Sequence, residues 1–212
     1  PTDKKFEVTG DSLEIEDFIP TASQITLLNK FAFDELTHSA TETIVEGKID
    51  NKKVLVTKQA GSSGFAITGA DLKLADFIPQ VANISFLDTF AFDSLTHTKT
   101  ETAVDGKINS KGVSVVENSS DKTFTVTGED LTLVDFVPKA GQVPFLKSFA
   151  FDSLIYSSGG TEVSGKIDSK LVTVNVAAGG TTFSVEGDDL KLADFVPEAG
   201  QIPFLNSFAL DK

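Results

Sequence analysis

Eight aspartates recur at fixed places in the chain, and they are the first residues to test for chemistry. Asp17, Asp76, Asp135 and Asp194 each precede a Phe, a β-branched residue and a Pro, as in Phe18-Ile19-Pro20; Asp34, Asp93, Asp152 and Asp211 follow Phe-Ala-Phe or Phe-Ala-Leu. Carboxylates catalyse in pairs a few ångströms apart, one of them held protonated by its surroundings. An active site is built once, where an array breaks its own symmetry, so an aspartate present in every copy reads as a cap, turn or packing joint. The acidic turns Gly69-Ala70-Asp71-Leu72, Gly128-Glu129-Asp130-Leu131 and Gly187-Asp188-Asp189-Leu190 offer the oxygen ligands calcium prefers, but neither a nine-residue Gly-rich repeat nor a helix-loop-helix spacing of acids accompanies them. His38 and His97 lie one repeat apart and Tyr156 takes the third place, a series that predicts a semi-exposed strand end accepting any ring with a polar tip. No Ser-His-Asp arrangement, phosphate-cradling loop or dinucleotide fingerprint can be assembled. The expectation is therefore no catalytic residue, no cofactor and no metal. An enzyme would place its cleft where the copies differ most, around Tyr156 to Gly160.

These residues are positioned by a repeat. Asp17-Phe18-Ile19-Pro20 returns as Asp76-Phe77-Ile78-Pro79, Asp135-Phe136-Val137-Pro138 and Asp194-Phe195-Val196-Pro197, at intervals of 59 residues without insertion or deletion. Phe6, Phe65, Phe124 and Phe183 keep the same step, as do Gly10, Gly69, Gly128 and Gly187. Constant spacing through three intervals means that even the loops keep their length, as when every copy meets its neighbour in the same way. With the unit begun at the Gly-Lys-Ile segments, the chain divides into a partial unit at 1–43, units at 44–102 and 103–161, and a last unit at 162–212. The partial first unit suggests a piece of a longer array.

Within a unit, Val104, Gly106 and Ile108 alternate with Asp105 and Lys107, the period of a half-buried strand. The tetrads Asp50-Asn51-Lys52-Lys53, Asn109-Ser110-Lys111-Gly112 and Asp168-Ser169-Lys170-Leu171 predict tight hairpins leading to strands rich in Val. A third strand follows at Phe124-Thr125-Val126-Thr127-Gly128. The next stretch, Asp130 to Pro138, spaces its apolar residues for one or two helical turns, with Asp71, Asp130 and Asp189 as N-caps and Pro79, Pro138 and Pro197 as stops; a strand through Leu72 and Leu74 is the alternative. A loop such as that at 140–144 then feeds a fourth strand, in which Phe149 and Phe151 face one side and Ala150, Asp152 and Leu154 the other. The fold class expected is mainly β, a tandem array of stacked units, each of about four antiparallel strands and one short helix.

Composition sets outer limits. In 212 residues there are 31 acidic and 18 basic side chains, a net charge of −13, which repels nucleic acid and anionic membrane surfaces. There is no Cys, so disulfides, thiolate metal sites and Cys nucleophiles are excluded. No apolar run reaches the length of a membrane span, and Pro1-Thr2-Asp3-Lys4-Lys5 does not read as a secretory leader. Eighteen Phe against one Tyr and no Trp favour a dry interior, since a buried Phe needs no hydrogen-bond partner. One such unit would be marginal alone, so a neighbour is expected to complete its core. The function expected is a non-catalytic structural scaffold, extracellular or at the cell surface, whose partners are neighbouring repeats or further copies joined head to tail through the end units. The alternatives are a lipid or other hydrophobic-ligand module, for which the short helix would have to leave an apolar face open, and an adhesin-like binding module.

Overall fold

The computed structural model describes residues 5–180, 182–196, 198, 201–206 and 208–209. The chain forms two compact units, Pro1–Asp121 and Lys122–Lys212, and the 59-residue repeat recurs within both. The described residues are mainly β, and every strand pairing is antiparallel.

In the first unit eight strands follow one another in chain order: β1 (Phe6–Val8), β2 (Ala32–His38), β3 (Glu42–Ile49), β4 (Lys52–Gln59), β5 (Phe65–Gly69), β6 (Ala91–His97), β7 (Glu101–Ile108) and β8 (Lys111–Asn118). The short helix α1 (Leu74–Phe77) lies between β5 and β6. The second unit holds β9 (Phe124–Gly128), α2 (Leu133–Phe136), β10 (Ala150–Ser157), β11 (Gly160–Ile167), β12 (Lys170–Ala177), β13 (Phe183–Gly187), α3 (Leu192–Phe195) and α4 (Pro203–Asn206), its strands again paired in chain order. A full copy thus contributes four strands and a helical segment. Within each unit neighbouring copies share a sheet side by side.

Register explains why one face is dry. Val8, Leu36, Val45, Val56, Ile67, Leu95, Val104 and Val115 stand in a single line across β1 to β8, and all but Val8 are buried. Val126, Leu154, Val163, Val174 and Val185 form the same line in the second unit. β-branched and aliphatic side chains opposite one another stabilise a sheet by up to about 1 kcal/mol per pair. The opposite face of the first unit presents Thr37, Ile44, Thr57, Ala66, Thr96, Ala103 and Val116 in line, a small and partly polar surface. The predicted hairpins form: Asp50-Asn51, Asn109-Ser110 and Asp168-Ser169 all have positive φ at both positions, the two-residue turn whose twist matches the strands it joins.

The helical segments cover the buried line. Ile15, Ile19, Ala22 and Leu28 are all buried, as are Leu74, Phe77, Ile78 and Val81 one copy later. Room for this cover is made by glycine. A Cβ on Gly47, Gly106 or Gly165 would run into the carbonyl of Ala32, Ala91 or Ala150 and into the ring of Phe31, Phe90 or Phe149, so each of these rings lies directly over strand backbone.

Several expectations are corrected. Asp71, Asp130 and Asp189 are not N-caps: they have φ of 59°, 57° and 57° and form the left-handed turn before the helix, a conformation that Asp tolerates better than most residues. The helices start two residues later, so Leu72 lies in the turn, Leu74 opens the helix, and no strand passes through them. Pro79 and Pro138 do more than stop the α-turn, since each opens a 3-10 turn, Pro79–Asn83 and Pro138–Gln142, at the position where its missing N–H costs nothing; Pro197 lies outside the described residues. The segment read as a loop at 140–144 is largely 3-10 turn, with a second at Pro144–Ser148. The fourth strand does not alternate strictly either. A bulge at Asp34, Asp93 and Asp152 absorbs one residue, so Phe151 opposite Gly165 and Leu154 opposite Val163 face the same way.

Candidate functional site

The two sets of repeated aspartates occupy two structural places. Asp17, Asp76, Asp135 and Asp194 sit three residues into the helical turn. Their Oδ2 atoms accept the backbone N–H of Glu14, Lys73, Thr132 and Lys191 at 2.9, 3.0, 2.8 and 2.8 Å. Each carboxylate thereby satisfies a donor that the start of a helix leaves orphaned and places negative charge at the positive end of the turn. The second set stands on the bulge and pairs with lysines of the next strand: Lys48 to Asp34 at 3.1 Å, Lys107 to Asp93 at 3.7 Å and Lys166 to Asp152 at 3.7 Å, all at the surface. Asp211 lies outside the described residues. Glu46 Oε2, 2.6 Å from Lys53 Nζ, raises the pKa of that lysine by hydrogen bonding and by its charge. Asp71 contributes its carbonyl, which accepts from Lys52 Nζ at 2.6 Å and ties the left-handed turn to the hairpin. Among the described residues no three acidic or imidazole side chains converge on a point where a cation could be held.

The ring series is the more informative place. His38 lies beside Phe6, with ring centroids 4.9 Å apart, and its Nδ1 is 2.8 Å from Thr43 Oγ1. His97 repeats the arrangement with Phe65 at 5.3 Å and Thr102 Oγ1 at 2.9 Å, and adds a contact of 2.8 Å from Nε2 to Gln24 Oε1, a residue of the preceding copy. Tyr156 stacks on Phe124 at 4.8 Å. A semi-exposed ring holds for His38 and Tyr156 but not for His97, which is only 4% exposed. Its burial follows from the Phe65 ring on one side and the Gln24 side chain on the other. Both ring nitrogens are engaged, so His97 is a packed and hydrogen-bonded joint. Neither nitrogen is left for a substrate.

Sequence reading missed Gln24, Thr102 and Glu117. Glu117 is buried on β8 opposite Thr102, which in turn stands opposite His97. The signal that could have found it is a break in uniformity: the equivalent positions carry Lys58, Glu117 and Val176, a change of charge at each step in an otherwise regular pattern.

The region from Tyr156 to Gly160 does carry a cleft, of about 510 Å³, with Ser157, Gly160, Glu162, Asn175 and Ser184 in its lining. Ser157 is committed to the hairpin, donating to Gly160 O and accepting from Gly159 N–H. A hydroxyl nucleophile needs an adjacent base. Among the described residues the cleft is lined by no imidazole or amine, and its carboxylate, Glu162, accepts from Ser164 Oγ at 3.4 Å. A second, mainly apolar cavity of about 290 Å³ lies against β13, walled by Phe136, Val137, Pro138, Val176 and Phe183. What the arrangement offers chemically is shape and apolar surface. No helix among the described residues is long and apolar enough to cross a membrane. Compared with known proteins, the chain matches no family model, no curated protein and no solved structure.

Proposed function

We propose that this chain is a non-catalytic tandem-repeat scaffold, extracellular or at the cell surface, in which successive copies complete one another's cores and further copies join head to tail. The observation that carries this reading is the joint at His97: Gln24 of one copy, Phe65 of the next and the ring at the end of β6 close over each other, while the inward line from Leu36 to Val115 runs on from the first copy through the second into the third without a break. A joint of this kind can be repeated indefinitely, because each copy adds strands at a sheet edge. Covering of the inward line by the helical segments supports the scaffold over a lipid groove. The acidic surface keeps such an array dispersed until a specific joint forms, and the lack of Cys and Met suits an oxidising exterior.

Sedimentation and electron microscopy of the purified protein test the proposal. It expects mass that rises with concentration and rods or filaments in the images. Compact monomers of constant mass across the whole concentration range would refute it.

A further inference from the structure

We propose that Asn118 is an acceptor of N-linked carbohydrate, its side-chain amide receiving an oligosaccharide from a lipid-pyrophosphate donor. The inference rests on the reading that places this array outside the cell, because such transfer belongs to the secretory route. Asn118-Ser119-Ser120 matches the acceptor pattern Asn-x-Ser, and it stands where the repeat departs from itself. The equivalent triplets, Gln59-Ala60-Gly61 and Ala177-Ala178-Gly179, have neither an Asn nor a hydroxyl two residues on. The backbone departs as well: Gly61 and Gly179 turn with φ of 78° and 66°, whereas Ser120 keeps an ordinary negative φ.

Asn118 is exposed at the end of β8, next to the buried Glu117. Its Oδ1 accepts the backbone N–H of Ser120 at 2.8 Å and the Ser120 hydroxyl at 2.7 Å. Two donors on the carbonyl oxygen draw electrons from the amide and make its N–H more acidic, and Nδ2 has no hydrogen-bond partner among the described residues. In the transfer, Nδ2 gives a proton to the transferring enzyme and bonds to C1 of the first sugar. The C1–O bond to the lipid pyrophosphate breaks, and its electron pair leaves on oxygen. An open hollow of about 290 Å³, lined by Lys99, Thr100, Ser119 and Ser120 as well as Asn118, gives that sugar room and polar neighbours. The other match, Asn83-Ile84-Ser85, is less well placed: Asn83 Nδ2 donates to Gln80 O at 3.0 Å, and Ile84 is only 8% exposed. Asn118 belongs neither to the buried line nor to the joint at His97, so a bulky hydrophilic chain there adds solubility without blocking the way copies meet.

The test uses the full chain, led by a cleavable secretory signal in cultured animal cells, with protein collected from the medium and from the secretory compartments alike. Intact mass should show a carbohydrate increment that peptide-N-glycosidase removes, and removal in heavy-oxygen water should turn Asn118 into labelled Asp. Asn118→Gln and Ser120→Ala should abolish the increment, Ser120→Thr should keep it, and Asn83→Gln should leave it unchanged, with the circular dichroism of all four as in the parent chain. An unmodified chain inside the secretory compartments, carbohydrate on Asn83 in place of Asn118, or indifference to Ser120→Ala would overturn the proposal. The signal is supplied and concentration-dependent mass is read on the stripped protein, so the scaffold can stand while this site falls.

Discussion

Phe65 on β5 and Phe6 on β1 occupy the same position in successive copies, beside a histidine at the same position, yet Phe65 is 3% exposed and Phe6 is 54% exposed. β5 has a strand on either side, β4 and β6, and among the described residues β1 pairs with β2 alone. The local sequence therefore does not decide burial at this position. The neighbouring strands do. At this position the phenylalanine belongs to the core where paired strands flank it on both sides.

Substitutions can break or sharpen that contrast. Phe65→Ala should lose about 3 to 5 kcal/mol in chemical denaturation, the usual cost of emptying an aromatic site in a core, while Phe6→Ala should stay within about 0.5 kcal/mol; equal losses would show that the two places are packed alike. Next in size, Gly106→Ala pushes a methyl into the Ala91 carbonyl and the Phe90 ring and should cost about 2 to 3 kcal/mol. Gly112, with nothing within 4 Å of an added Cβ, should accept Ala with no measurable loss. Asp135→Ala removes the acceptor of the Thr132 N–H and hydroxyl and should cost about 1 kcal/mol, recovered in large part by Asn. Lys107→Ala breaks an exposed pair of 3.7 Å and should change the stability measured in the same denaturation by less than about 0.5 kcal/mol.

Much of this architecture is legible in the residues. The 59-residue step, the Asx-rich hairpins and the alternating valines around them specify strands, turns and the buried line. The bulge is harder to see because the Phe-Ala-Phe run suggests strict alternation through the fourth strand. The spacing of three between Phe33 and Leu36, both inward, nevertheless requires one extra residue at Asp34. Asp71 misleads because Asp serves both as an N-cap and as a left-handed turn residue, and the two roles differ in backbone angle, which composition does not show. The acceptor at the helix start is instead Asp76, three residues into the pattern. Burial of His97 depends on Gln24, which lies 73 residues earlier in the chain. Contacts across that separation follow from how copies lie side by side, and local periodicity carries no trace of it.

The dependence of each copy on the next is tested most directly by equilibrium urea unfolding of this chain beside a version lengthened by one internal unit, a duplicate of residues 44–102. Mutual completion of the cores predicts a single cooperative transition in each, with a higher midpoint and a steeper slope in the longer chain. An unchanged midpoint and slope, with the added unit melting separately, would contradict it.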